Sequence, residues 1–408
     1  MTNGKRAVAL LAVALLVATG CSTKAKNDTG STGNSGAVKT DKGVTGTTIT
    51  LGVLTDLTGV FAALGTDITN ANQLFWQTNK VCDKYSVKLV VKDTGYVPQQ
   101  GVQLYSGIKN DVLAMQQTIG SPINTALADA YTADKIVNLP SAWARNLTEP
   151  PGNGVVGATY DIEMTNALSY ALDKGLIKEG DKIGHIYFEG EYGANGLAGS
   201  KFFAGKHKMT VVEAKIKATD LDMSSQITQF KAAGVKAIAL TVSPKQTLSV
   251  ASVAGSAGLD VPLIGNNPVF SPALLKSPAA AALKKNLIVA SPISTFDKQP
   301  DLLKAYLAKF PKATPSLGVV FGTGMGTVMK KILDKACGDG DLTRDGVLKA
   351  KQSLTAIDTG GLIVPLDFSV GAGKSPSHQS YIVQPADVPG GAKALTDATE
   401  SEDAKGLE

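Results

Sequence analysis

Between residues 48 and 290 the chain alternates short apolar runs with helix-patterned segments, and this alternation constrains its fold more than any other feature. Runs rich in Ile, Val and Leu stand at 48–54, 87–92, 136–139, 182–188, 236–242, 262–265 and 286–290. They are nearly continuous in apolar character, as strands covered on both faces of a parallel sheet must be. Among the helical segments the clearest has Met223, Ile227 and Phe230 at spacings of four and three, with Asp222 as N-cap and Gly234 as stop. Repetition of strand, helix and strand predicts right-handed crossovers and a doubly wound α/β architecture. Sheets of this kind take ligands beyond the carboxyl ends of their strands, which directs attention to loops 55–65, 120–125, 140–146, 189–194, 243–245 and 266–270.

The ends of the chain differ from this body. Lys5 and Arg6 precede an unbroken apolar run of twelve residues, Ala7 to Ala18, then Thr19, Gly20 and Cys21. A spanning helix needs roughly 20 apolar residues, so 1–20 reads as a secretory signal. Leu16 to Gly20 ahead of Cys21 resembles a lipobox, with Ala18 where Leu is more usual, and that likeness implies lipidation at Cys21. Residues 21–47 are almost all Ser, Thr, Gly, Lys, Asn and Asp, a composition that suits a flexible tether reaching about 30 Å from the membrane. Residues 386–408 are polar again and read as a loose tail.

About 340 residues lie between these ends, enough for two lobes. Removing the signal takes the formal charge from +5 to +3, because 38 basic residues then face 35 acidic ones. No basic block or basic–aromatic stripe occurs in the body, which argues against a nucleic-acid partner. With Cys21 acylated, only Cys82 and Cys337 remain, and an oxidising exterior favours a disulfide between them over two separately buried thiols.

Little in the sequence supports catalysis. His185, His207 and His378 are far apart and lack ligand partners at metal-binding spacing, so no metal or cofactor is expected. Asp56, Asp93, Glu189 and Glu191 near strand ends read as capping or exposed carboxylates. No Gly-x-Ser-x-Gly elbow or Walker-type loop is present. Gly322, Gly324 and Gly326 open a helical pattern and read as close helix packing rather than a dinucleotide loop. Tyr192 and Gly193, after the strand ending at Phe188, offer a flat apolar face with a hydroxyl and a close backbone approach.

Three stretches carry a family resemblance: Ile49-Thr-Leu-Gly-Val-Leu-Thr-Asp-Leu-Thr-Gly59, Glu191-Tyr-Gly-Ala-Asn-Gly-Leu-Ala-Gly199 and Ala257-Gly-Leu-Asp-Val-Pro-Leu-Ile-Gly265. On them the chain resembles, from 48 to about 383, the branched-chain amino-acid-binding family of type I periplasmic binding proteins. The resemblance implies an extracytoplasmic, monomeric, non-enzymatic receptor that passes a small-molecule solute to the membrane subunits of an ABC importer. A ligand-sensing receptor module of the same fold is the alternative. It implies two α/β lobes, 48–157 with 294–366 and 158–293 with 367–385, joined by three crossings and closing by a hinge.

The expected ligand set is Ser121, Asn124, Ala142, Trp143, Tyr192, Ser243 and Asn267. Ala144 replaces a Thr of the family's amino-acid site, and Asn267 stands where its acidic residue is expected. A buried ammonium left without a carboxylate costs roughly 3 to 5 kcal/mol. The substitutions therefore point to a solute with little or no positive charge, such as an aromatic acid or amide, resting on Tyr192 or Trp143 and hydrogen-bonded by Ser121, Asn124 and Asn267. The alternative is an amino-acid-like solute whose acidic partner sits elsewhere, at Glu189 or Glu191.

Overall fold

The computed structural model describes residues 38–407, so the signal segment and Cys21 lie outside the described residues. The chain opens with β1 (Lys39–Thr40), β2 (Val44–Thr45), β3 (Thr48–Thr55), α1 (Ala62–Thr78), β4 (Ser86–Asp93), α2 (Pro98–Ile108), β5 (Ala114–Ile119), α3 (Ser121–Ala133) and β6 (Asn138–Ser141). It continues through α4 (Tyr160–Asp173), β7 (Lys182–Phe188), α5 (Glu191–Lys206), β8 (Thr210–Ile216), α6 (Ser224–Ala233) and β9 (Ala237–Thr241). Then come α7 (Pro244–Ser256), β10 (Leu263–Asn266), α8 (Ala280–Asn286) and β11 (Leu287–Ser291). The last part holds α9 (Pro300–Lys309), α10 (Gly318–Gly338), β12 (Asp341–Leu342), α11 (Arg344–Ser353), β13 (Tyr381–Pro385) and β14 (Ala392–Ala394).

Two sheets organise these elements. In the first, β4, β3, β5 and β6 run parallel in that spatial order, with β2 antiparallel beside the start of β3. The second has the order β14-β13-β11-β10-β9-β7-β8, parallel except for β13 and β14. Helices α1 and α10 cover the first sheet and α4 with α5 the second, which gives two doubly wound lobes. Gly322 and Gly326 of α10 lie where a Cβ would come within 2.5 Å of Ile68 O and 2.6 Å of the Phe75 ring, so the glycines do serve helix packing.

Three segments cross between the lobes, around 156–158, 291–294 and 362–367, and they brace one another. Ser294 N donates to Leu362 O at 3.0 Å and Val364 N to Pro292 O at 2.9 Å. Gly157 adopts φ +144° here, and a Cβ would stand 2.6 Å from Trp143 Nε1 and 2.8 Å from Pro292 Cβ. Only glycine fits both the dihedral and the space.

Several expectations needed correction. The run Ala114–Ile119 is a buried central strand although its centre reads Met-Gln-Gln-Thr. Its polar side chains are paired inside the first lobe: Gln117 with Asn72, Thr55 and Thr69, and Gln116 with Asn72 and Trp76. Asp222 lies one residue outside the capping position of α6, where its Oδ1 accepts from Ser224 N and Oγ, and Gly234 ends the helix at φ 71°. Residues 38–47, grouped with the tether, are built in, β1 pairing with β12 and β2 with β3.

The stretch 386–408, expected as a loose tail, packs on the second lobe as far as it is described. Strand β14 joins the sheet, Ser401 N donates to Asn166 Oδ1, and Asp403 Oδ2 meets Ser169 Oγ and His207 Nε2 at 2.8 and 2.9 Å. Its polar residues find partners on the polar side of α4, so composition alone misled. Cys82 and Cys337 form a disulfide with Cα atoms 6.5 Å apart, tying the loop after α1 to α10 within one lobe. Among the described residues no helix is long and apolar enough to cross a membrane.

Candidate functional site

The strand-end loops converge on the seam between the lobes. Asp56, at the end of β3, accepts hydrogen bonds from Gly59 N and Phe61 N at 2.5 and 2.9 Å, which folds the loop so that Phe61 enters the seam. Asp93 accepts from Leu57 N and Thr58 Oγ1, both at 2.9 Å, and these donors hold its carboxyl below the usual range despite a desolvation that opposes them. Both acids are structural caps. Gly120, between β5 and α3, takes φ 93°, and a Cβ there would lie 2.6 Å from the Tyr96 ring. That glycine lets Tyr96 pack at the start of α3.

An enclosed cavity results. The first lobe contributes Phe61, Leu64, Tyr96, Ser121 and Trp143, and the second contributes Tyr160, Tyr192 and Pro268. Phe61 meets Tyr192 edge-on with ring centres 6.5 Å apart, and Trp143 meets Tyr160 at 5.9 Å, so aromatic rings from the two lobes touch. A second cavity lies beyond Leu64, walled by Leu317 and Gly318 on one side and by Asn267, Phe270 and Val289 on the other. The two measure about 20 and 30 Å³, room for little more than a water each. The lobes are therefore closed, and a solute enters by their parting.

Among the described residues none that lines either cavity is charged. Polar capacity in the first comes from hydroxyls. Ser121 Oγ is buried without a well-formed hydrogen bond, and it stands against the Tyr160 hydroxyl. Burial pushes the pKa of Tyr96, Tyr160 and Tyr192 upward, and the charges of Asp56 and Glu191 push Tyr96 further while neighbouring tyrosines push Tyr160 and Tyr192, so the hydroxyls stay protonated donors at neutral pH. Ser121 is also the first residue of α3, whose opening N–H groups lack intrahelical partners and favour negative charge.

The residues anticipated from sequence divide into two groups. Ser121, Trp143 and Tyr192 line the first cavity and Asn267 the second. Trp143 donates Nε1–H to Val156 O at 2.8 Å and Tyr192 its hydroxyl to Val242 O at 3.1 Å, so both present rings rather than free donors. Asn267 Nδ2 is buried and unpaired. Asn124 is committed elsewhere, donating to Thr118 O and Gly120 O and accepting from Asn138. Ser243 pairs with Gln246 at the start of α7, and Ala142 is buried away from both cavities.

Sequence reading missed Tyr96, Tyr160, Leu64 and Glu163. Tyr160 and Glu163 lie one turn apart on α4, outside the strand-end loops. The spacing of three residues on a helix was the available signal. Glu163 is fully buried; its Oε2 accepts from Asn267 N at 2.9 Å and its Oε1 has no partner. Burial pushes its pKa well above the usual carboxylate range, opposed by the Asn267 N–H. It borders Asn267 but lines neither cavity.

No curated protein sequence matches the chain. A family model described as periplasmic binding protein matches residues 48–392. A fatty acid ABC transporter substrate-binding protein from Thermomonospora curvata is 40% identical, with 90% of this chain and 96% of that one covered and a TM-score of 0.86. A branched chain amino acid ABC transporter protein from Thermus thermophilus with bound valine is 16% identical over 88% of this chain and 98% of its own, with a TM-score of 0.77. A solute binding protein from R. palustris in complex with benzoate is 18% identical over 90% and 99%, with a TM-score of 0.71. The last two likenesses bear on the fold alone. The chain belongs to the periplasmic binding protein family, the extracytoplasmic solute-binding proteins of ABC transporters, and is not an enzyme.

Proposed function

We propose that this chain is a membrane-anchored receptor that captures an organic acid with an apolar body, of the fatty-acid class, and presents it to an ABC importer. One observation carries the reading: the cavity between the lobes offers hydroxyls, a helix start and aromatic walls, with no charged side chain. A carboxylate can be held by Ser121 Oγ and the Tyr160 hydroxyl at the start of α3. An ammonium would find no partner, because Glu163 lies behind the wall and burial favours its uncharged form. The 40% identical relative, named for fatty acids, supports the same class. Lipidation at Cys21, supported by the apolar run before it, would supply the anchor.

Calorimetry on delipidated protein tests the proposal. Hexadecanoate is expected to bind with submicromolar affinity, and leucine, isoleucine and valine to give no saturable heat. Tight binding of any of those three amino acids would overturn it. A Cys21→Ser variant is expected to leave the membrane fraction for the soluble one on fractionation of the producing cells.

A further inference from the structure

We infer that the solute is a long unbranched acyl chain threaded past Leu64, its carboxyl at Ser121 and Tyr160 and its tail under the segment that ends in Gly390 and Ala392. This deepens the function proposed above and rests on it. Leu64 lines both cavities, and so it is the residue at which the first opens towards the second. The second cavity is mainly apolar, with Phe270, Leu317, Val289 and Val383 around it, Asn267, Ser291 and Ser316 as its polar members and no charge among its described lining residues.

Its far end does not stop in the core. Pro272 and Gly390 also border an open groove of about 600 Å³ that includes Leu303, Leu307 and Val388. Head cavity, Leu64, tail cavity and groove thus form a sequence from the buried hydroxyls to the surface. A single aromatic ring would occupy the first and leave the rest without an occupant.

The walls can widen, since Leu64, Leu317 and Gly318 belong to the first lobe and Asn267 and Phe270 to the second. Slight parting of the lobes opens the whole sequence at once. Leu64 rests against Gly318, where a Cβ would come within 2.8 Å of its Cδ1. A larger side chain at position 64 has no space to retreat into and must fill the passage.

The experiment is a chain-length series of octanoate, dodecanoate and hexadecanoate, with benzoate, on delipidated wild-type, Leu64→Trp and Leu64→Ala proteins. For wild type the affinity is expected to rise about fourfold per added methylene until the tail reaches the open groove. Leu64→Trp is expected to weaken hexadecanoate at least tenfold more than it weakens benzoate, since Leu64 borders the head cavity as well as the passage. Leu64→Ala, which leaves the passage open, is expected to keep hexadecanoate binding within tenfold, and thermal melts establish that both variants fold.

Affinity independent of chain length, or an equal loss of every acid in Leu64→Trp, would overturn threading and leave acid binding intact. Binding of no acid at all would overturn both readings. Loss of hexadecanoate binding in a Lys276→Ala variant, at the lysine that borders the open groove, with none in Ser121→Ala, would place the carboxyl at the surface end and overturn the orientation.

Discussion

A Ser121→Ala, Tyr160→Phe double variant is expected to bind hexadecanoate about 100-fold more weakly than the parent, or worse, by calorimetry. Both changes remove a hydroxyl and little volume. Hydrogen bonds to a charged group contribute about 1.5 to 3 kcal/mol each, and no lysine or arginine lines the cavity to take over. Tyr192→Phe separates this effect from loss of a tyrosine as such. Its hydroxyl is given to Val242 O, so its removal should cost the second lobe some stability and the acid little affinity. Double-variant affinity within threefold of wild type would remove the hydroxyls from the site.

Arg145→Met is expected to shift the protein towards an open form and to weaken acid binding about tenfold or more. Arg145 follows β6 in the first lobe, and its Nε lies 2.6 Å from Oδ2 of Asp161, which is on α4 of the second lobe. The Asp161 side chain is only 4% exposed, and Thr159 Oγ1 donates to its other oxygen at 2.5 Å. Arg145 N also reaches across, donating to Asn195 Oδ1 at 3.2 Å. Loss of the guanidinium leaves a buried carboxylate without its counter-charge, a cost of about 3 to 5 kcal/mol in the closed form.

Opening of the lobes rehydrates Asp161 and relieves most of that cost. The variant should therefore respond by changing population rather than by unfolding. Small-angle scattering should show a larger radius of gyration without ligand, and Arg145→Met with Asp161→Asn should recover much of the affinity. An unchanged radius and affinity in the single variant would show that the pair does not latch the lobes.

The alternation of apolar runs made both lobes legible, since all seven runs overlap strands of parallel sheets, run 136–139 only through its last two residues in β6. Strand β5 was hidden because Gln116 and Gln117 are polar in type yet buried, and only partners distant in sequence reveal why. The edge strand β8 escaped notice because its pattern alternates with charge. Five of the six strand-end loops contribute lining residues to the two cavities and loop 243–245 does not, and the single side chains expected to bind solute divide in the same way. Asn124 looked like a ligand donor from its place after β5, yet the β5–α3 turn uses its amide to hold its own backbone. Tyr160 and Glu163 escaped because their helix begins after a crossing between lobes, a position defined by topology that a local motif cannot express.

The Cys82–Cys337 bond falls wholly within the first lobe, so among the described residues no disulfide adds to the three chain crossings that join the lobes. Oxidation and capture are thereby mechanically independent. A receptor emerging reduced from the export machinery could clasp its cargo before its thiols have paired, and later cross-linking would lengthen the working life of one half without slowing the stroke.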